Sequence, residues 1–440
     1  MKKFWYTEAL CTGNTHWINS IAIKIAILFK AESLWQIRWF STLSTFTFFV
    51  VVLIWIRSIE PTHLKFLIFS VLLLNPYILD YLGLARGYSP GLMFQALALL
   101  LFILSLKNNN LKQAFFGLIF SGLSPLSNFS FIYFFMAFAI VYFFVVHFKN
   151  GLQIFRSWVF YRDVTYVILI SAIVIRAFIF MTICSNDVVG AGTDHFLEYF
   201  QVFSQGLLYH SQINETLLNF LSITIFILLA LSCMLGIFSR NAKQNRIWYY
   251  TSIILLTMLS VTFINRYLFH VVFPYYRSAI FLFPTSAVCF IYMLNKIFKS
   301  GFIKPILFYL ISSLLALNFI LSMNLNSVFD FHIQADLKKS FDKVEALNAV
   351  KVGISPELYG GFRNYYQMTD KYHYNFKGVS INTHHPKGLS DNRNELKEFD
   401  YLILFPPYNL SYYKNNPVKF KAVEFFKETG TLILKVNEGL

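Results

Sequence analysis

Along this chain apolar residues fall into long runs parted by short polar breaks. The runs lie near 38–56, 65–82, 90–106, 112–127, 129–148, 164–183, 217–238, 247–265, 277–298 and 303–325. A helix that crosses the hydrocarbon layer of a membrane needs about 20 mostly apolar residues. The pattern therefore predicts ten transmembrane helices. The fourth run carries Gly117, Gly122 and Pro125, which predicts a bent or half-length helix and would lower the count by one. Residues 21–29 are apolar but too short to span. They predict a helix lying in the membrane interface, with Lys24 and Lys30 near the headgroups.

The pattern changes after about residue 330. Apolar runs shorten and charge density rises. Val350–Ser355, Phe399–Phe405 and Thr431–Val436 read as strands, and Gln334–Leu347 and Pro356–Met368 as amphipathic helices. Glu428-Thr429-Gly430-Thr431 is a turn signal between Ala422–Lys427 and the last strand. The fold expected is an all-α polytopic membrane bundle of about ten helices over 38–329. An N-terminal segment, 1–37, carries the interfacial helix, and a small C-terminal α/β domain fills 330–440, long enough for its own core.

Composition supports this reading. Hydrophobic residues make up 56% of the chain and charged residues 13%, against about 25% charged in a soluble domain. A disordered chain is excluded, and so is an ordinary soluble enzyme. The net charge is +15, and its excess lies before residue 330. No run of Lys and Arg interleaves with aromatics, so nucleic acid is not an expected partner.

The charge alternates from loop to loop. One set holds Arg57 and Lys65; Lys107 and Lys112; Lys149, Arg156 and Arg162; Arg240, Lys243 and Arg246; and Lys296, Lys299 and Lys304. The other holds Arg86 and Arg266, with Arg277 at a span edge. Its longest loop, 184–216, has no Lys or Arg but carries Asp187, Asp194, Glu198 and Glu215. The positive-inside rule puts the first set in the cytoplasm. The protein is then expected in the cytoplasmic (inner) membrane, with the C-terminal domain external or periplasmic. With ten spans the N-terminal segment is external too. It shows no long apolar stretch after Met1-Lys2-Lys3, so no signal peptide is read there.

Four cysteines, Cys11, Cys184, Cys233 and Cys289, show no metal-type spacing. Cys233 and Cys289 read as small core residues, and a bridge between Cys11 and Cys184 is a minor alternative. His384-His385-Pro386 reads as a solvated loop before it reads as a metal site.

Polar residues gather on the external side. Asn75 to Gly91 closes the second span and opens the third. It holds Asp80, Arg86 and Tyr88 beside Pro76, Gly87 and Pro90. Asp80 and Arg86 read either as a salt bridge at the membrane edge or as an acid and a phosphate-binding Arg at the mouth of a cavity. A second group, Arg266, His270 and Arg277, suits an anionic headgroup, or anchors the aromatic belt. Thr15-His16-Trp17 with Asn19 suits contacts to a sugar or phosphate, though a lone His is more often structural. Arg176, inside the sixth span, either snorkels or supports an inner polar cavity.

The segment with Pro76, Asp80 and Arg86-Gly87-Tyr88 resembles the multi-spanning GT-C glycosyltransferases. Within them it is most similar to the protein mannosyltransferase, aminoarabinose transferase and rhizobial lipopolysaccharide glycosyltransferase family. Thr15-His16-Trp17-Ile18-Asn19 followed by Ser33 to Arg38 resembles the end of that family's first external loop. Arg277-Ser278-Ala279-Ile280-Phe281-Leu282-Phe283-Pro284 resembles its late Arg-led span. The resemblance covers roughly 1–300. It implies transfer of a sugar from a polyprenyl-phosphate carrier to a lipid, glycan or protein acceptor, with inversion at the anomeric carbon. It implies Asp80 as acid or base, Arg86 on the lipid phosphate, and Arg277 with His270 as a second phosphate contact. Tyr88, His16 and Arg266 join them as substrate-binding candidates. Some members use a divalent metal (Mg, Mn or Ca by ligand type), and no other cofactor is implied.

The chain departs from the family at its start, where the family's catalytic acid follows a first span. Here only Glu8 precedes His16. Either Glu8 takes that role or the acid lies upstream of Met1; the second also accounts for an external N-terminus without an export signal. Two other readings compete. A transporter or flippase would show inverted repeats and charge near the bilayer midplane, and neither is seen. A non-catalytic scaffold with an external binding domain gains from the missing first-loop acids.

Overall fold

The computed structural model describes residues 16–30, 34–57, 59, 61–82, 87–147, 157–184, 192–207, 214–239, 246–298, 301–322, 336–347, 352–354, 400–404, 420–426 and 429–436. The chain divides into two compact units. One comprises Met1–Phe29 with Ile37–Met323, the other Lys30–Gln36 with Asn324–Leu440.

The first unit is helical. In chain order it holds α1 (Trp17–Leu28), then, after the short α2 (Leu34–Ile37) that falls mostly in the second unit, α3 (Trp39–Arg57), α4 (Thr62–Leu73), α5 (Pro76–Leu82), α6 (Tyr88–Asn108) and α7 (Leu111–Ser127). Then come α8 (Ile132–Tyr142), a π-helical turn (Phe143–His147), α9 (Trp158–Cys184), α10 (Phe196–Leu207), α11 (Glu215–Phe238) and α12 (Arg246–Phe269). Last are α13 (Leu282–Ile297) and α14 (Ile303–Ser322). Every apolar run is helical. By length and composition, seven helices among the described residues can cross a membrane, or eight if α4 and α5 form one span bent by 50°. This is a multi-pass membrane protein with fewer clear spans than the ten expected. The fourth run is an unbroken helix of 17 residues. The ninth begins with a 3-10 turn, Tyr276–Ala279, and leaves α13 only 16 residues.

The bend between α4 and α5 has a local cause. Pro76 has no N–H to continue the α4 ladder, and Asn75 Oδ1 accepts from the Ile78 N–H at 3.2 Å to start α5. In α7, Pro125 leaves the Ser121 carbonyl without its backbone donor, and Ser124 Oγ donates to it at 2.6 Å. The helix therefore continues without a break past its proline. An apolar interior offers no water to satisfy such groups, so side chains must. The same rule joins helices. Thr45 Oγ1 donates to Leu82 O at 3.0 Å (α3 to α5), Ser89 Oγ to Ser41 O at 3.0 Å (α6 to α3), and Ser232 Oγ to Cys289 O at 2.7 Å (α11 to α13). Gln95, fully buried in α6, donates Nε2 to Phe281 O at 2.7 Å at the start of α13.

The short apolar stretch at 21–29 lies largely in α1, which is too short to span. Asn19, Ala22 and Ala26 are buried, and Ile21, Ile25, Ile27 and Leu28 are exposed. Trp39 Nε1 donates to Ala22 O at 3.1 Å and Ser41 Oγ to Asn19 Oδ1 at 3.3 Å, which dock α1 on α3. Arg176 is exposed on α9, so the inward-facing role considered for it does not hold.

At the end of the bundle that carries the basic loops lies an ionic cluster that the sequence did not flag. Asp163 is fully buried. It accepts from Tyr142 OH at 2.5 Å and from Arg162 Nε at 2.8 Å, and its Oδ2 is 3.0 Å from His147 Nε2. The Arg162 guanidinium lies 3.6 Å over the Phe115 ring. The cluster ties α9 to the end of α8 and to α7.

The second unit holds α15 (Leu337–Ala346) and a four-stranded sheet, β3 (Val352–Ile354), β4 (Tyr401–Leu404), β5 (Phe420–Phe425) and β6 (Leu432–Val436). The sheet order is β3-β4-β6-β5, with β3 parallel to β4 and the other pairs antiparallel. Leu402, Leu404, Phe420, Leu432, Leu434 and Val436 form its core. Thr429 Oγ1 donates to Asp336 Oδ2 at 2.9 Å, and Lys343 pairs with Glu424 at 2.8 Å, which hold α15 to the β5–β6 hairpin. The helix expected at 356–368 and His384-His385 lie outside the described residues, as do Cys11 and Glu8.

Asp163→Ala strips the shared acceptor from three donors. Breaking a buried ion pair costs about 3–5 kcal/mol, and the low end applies because the Arg162 side chain is 36% exposed. Unfolding in mixed micelles should therefore show a loss of about 3 kcal/mol. A loss below about 0.5 kcal/mol, the level of an ordinary surface change, would show that the cluster carries no stability.

Candidate functional site

The end of the bundle opposite the basic loops collects most of the residues singled out above. Its centre is the joint between α5 and α6. Gly87 caps α6 with φ +78°, a left-handed conformation that glycine adopts without a Cβ penalty. The site also leaves no room for one, since a Cβ would lie 2.0 Å from Ser127 O and 2.9 Å from His16 Nδ1. Gly87 thus lets the end of α7 and the start of α1 close onto the start of α6. Pro90 falls in the first turn of α6, where a missing N–H breaks no helix bond.

Rings line up from this point inward. The His16 and Tyr88 centroids are 6.0 Å apart, Tyr88 and Tyr81 5.1 Å, Tyr81 and Tyr77 4.9 Å, Tyr77 and Phe283 6.4 Å, and Phe283 and Phe203 5.8 Å. The row runs from α1 across α6 and α5 to α13 and α10. Tyr77 and Tyr81 stand four apart on α5, so both fall on its buried face. Asp80 is the half-buried neighbour of Tyr81 on the same short helix. Arg86, covalently next to Gly87, lies outside the described residues.

Phe203 and Phe283 also line a cavity of about 660 Å³ between α4, α10, α11, α13 and α14. Ser286 and Asn318 are the polar residues of its lining, and all the others are apolar. Such a space takes hydrocarbon. The aromatic row therefore leads from a polar end into an apolar cavity.

The second group expected, Arg266, His270 and Arg277, is placed differently. Arg266 forms an ion pair with Asp194 at 2.8 Å, so its guanidinium is held by the acidic loop. His270 is exposed beyond the end of α12 at φ +54°. Arg277 is half-buried on the 3-10 turn before α13. The acidic loop is pinned here by a short bridge in which β1 (Gly192–Thr193) pairs antiparallel with β2 (Phe273–Pro274). Thr193 Oγ1 donates to Glu198, and Tyr275 OH to Gln201 Oε1 at 3.3 Å. Gln201 Nε2 passes the chain on to Asn219 Oδ1 at 3.1 Å. Burial pushes the Tyr199 phenol well up, and its OH lies 3.3 Å from Thr262 Oγ1. Asp194, Glu198 and Arg266 are thus parts of a clasp.

The two groups meet through a wall of rings. Tyr133 stacks on Phe281 at 5.4 Å and accepts from Asn265 Nδ2 at 3.3 Å, while Phe131 fills the space above Gly91 on α6. The structure therefore joins His16 to Tyr88, and Asp80 precedes Tyr81 of that row on α5.

Tyr77, Tyr81, Tyr133, Gln201 and Tyr275 were not anticipated. Only the i, i+4 spacing of Tyr77 and Tyr81 signalled a shared face. Among the described residues, no three His, Cys, Asp or Glu side chains converge to hold a metal. Comparison with family models, with characterised protein sequences and with solved structures returned no match.

Proposed function

We propose that this protein is a membrane glycosyltransferase that moves a sugar from a polyprenyl-phosphate carrier to a lipid, glycan or protein acceptor on the outer face. One observation carries the reading. A row of six rings connects a polar end, with His16, Tyr88 and Asp80, to a 660 Å³ apolar cavity. A lipid-linked sugar has the same division, a polar head on a hydrocarbon tail. In this reading the tail enters the cavity past Phe203 and Phe283, and the sugar lies near Tyr88 and His16, where aromatic faces suit its apolar side.

The chemistry follows from the residue types. The acceptor hydroxyl attacks the anomeric carbon and gives up its proton, and the bond from that carbon to the phosphate oxygen breaks with its electron pair leaving on the phosphate. Asp80 is the carboxylate offered as base, and must come within hydrogen-bond reach of that hydroxyl. Arg86 and Arg277 balance the charge gathering on the leaving phosphate, where charge-assisted bonds in a partly dry site are strong. Glu8 remains a second candidate acid, and Mg, Mn or Ca would suit carboxylate oxygens as an auxiliary ion. Arg266 acts in this scheme through its ion pair with Asp194, fixing the outer clasp. His270 stays a possible outer phosphate contact. By the positive-inside rule the site faces outward and the second unit with it.

The test is transfer from a labelled polyprenyl-phosphate sugar by the full chain in proteoliposomes supplied with membrane acceptors. Arg86→Ala should lower turnover at least 100-fold, the loss typical for one charge-stabilising group. Asp80→Asn should lower it by a similar factor while donor binding persists. Full turnover in Arg86→Ala would remove the phosphate role, and full turnover in Asp80→Asn would make Asp80 structural.

A further inference from the structure

The cavity extends to the basic end of the bundle, and the groups beside that end are not used by the proposed reaction. Leu294, Phe298 and Leu307 line it there. Beside them His63 in the first turn of α4, Asn295 in the last turn of α13 and Lys304 in the first turn of α14 come together. Lys304 Nζ donates to Asn295 O at 2.7 Å. That bond caps the carbonyl end of α13 and uses one of three ammonium donors. His63 packs edge-on against Phe308 at 5.2 Å. Its Nε2, beside the Asn295 side chain, is buried and completes no hydrogen bond of normal geometry. Buried polar atoms left this way call for a partner. The N-terminus of α4 has no side-chain cap, which adds a positive dipole end at the same place. Among the described residues no carboxylate pairs with Lys304.

We propose that this end of the cavity binds one anionic phospholipid of the adjoining leaflet. The phosphate sits between Lys304 Nζ and His63, and one acyl chain enters the cavity along Leu294, Phe298 and Leu307. Basic pockets between membrane helices bind anionic headgroups in this way. The apolar lining requires a lipid, since a free phosphate ester would leave it empty. The missing carboxylate disfavours a zwitterionic head, whose ammonium would have no counter-charge. Phe283, where the aromatic row reaches the cavity, and Phe298 are fifteen residues apart, or about 22 Å at 1.5 Å per helical residue. The acyl chain would share the cavity with the carrier tail of the proposed reaction, but Lys304 and His63 take no part in sugar transfer, and the test reads binding alone.

The test uses the full chain in detergent with native mass spectrometry. Phosphatidylglycerol should bind, phosphatidylcholine should bind weakly, and glycerol 3-phosphate should neither bind nor compete. Lys304→Gln should weaken phosphatidylglycerol about fivefold, the change for one basic group near an anionic surface. Lys304→Arg should retain binding, which separates charge from helix capping. Leu307→Trp, which fills the groove beside the cation, should also weaken it. Unchanged binding in Lys304→Gln or in Leu307→Trp overturns the proposal. So does glycerol 3-phosphate or phosphatidylcholine binding as tightly as phosphatidylglycerol.

Discussion

The hydrogen bond from Gln95 Nε2 to the Phe281 carbonyl, 2.7 Å long and wholly buried, is the interaction on which the rest of the helical unit depends. An amide inside an apolar bundle must find a partner, because leaving one unmet costs about 1–3 kcal/mol. Its Nε2 is met across the bundle, by a residue 186 positions away in the chain. It fixes the start of α13 against the middle of α6. Phe281 then carries Tyr133 on its face, and Phe283, two residues on, carries the aromatic row into the cavity. The polar end and the apolar cavity hold a set relation because these two helices do.

The same requirement explains the small polar residues in apolar runs. Ser89, Thr45, Ser124 and Ser232 each donate to a carbonyl, and three of those bonds join different helices. Hydropathy alone treats such residues as weaknesses in a span. In the structure they are the fasteners that join helices, and Ser124 lets α7 continue past Pro125.

Much of the helix pattern was legible because a span needs a long apolar run, and all ten runs are helical. The short, non-spanning helix α1 was legible for equally local reasons. So were three strands of the second unit, within one or two residues. What was not legible depends on distant partners. Arg266 reads from sequence as an external cation, and its partner Asp194 lies 72 positions earlier. Arg162 read as a loop charge that sets orientation. It is also the partner of Asp163, and no local pattern distinguishes a paired charge from a solvated one. His16 and Tyr88 were each named from sequence, but their meeting rests on Gly87 letting α1, α6 and α7 close together. The ring row could not be read at all, since its members come from five helices.

The account stands or falls on whether a polyprenyl chain enters the cavity beside the aromatic row. A photoreactive polyprenyl-phosphate sugar, cross-linked to the full chain in membranes and mapped by mass spectrometry, measures this directly. Adducts on Phe203, Phe283 and Ala287, displaced by excess unlabelled polyprenyl phosphate, are the expected result. Adducts confined to outward-facing residues such as Leu310 and Leu317, or unaffected by competitor, would contradict it.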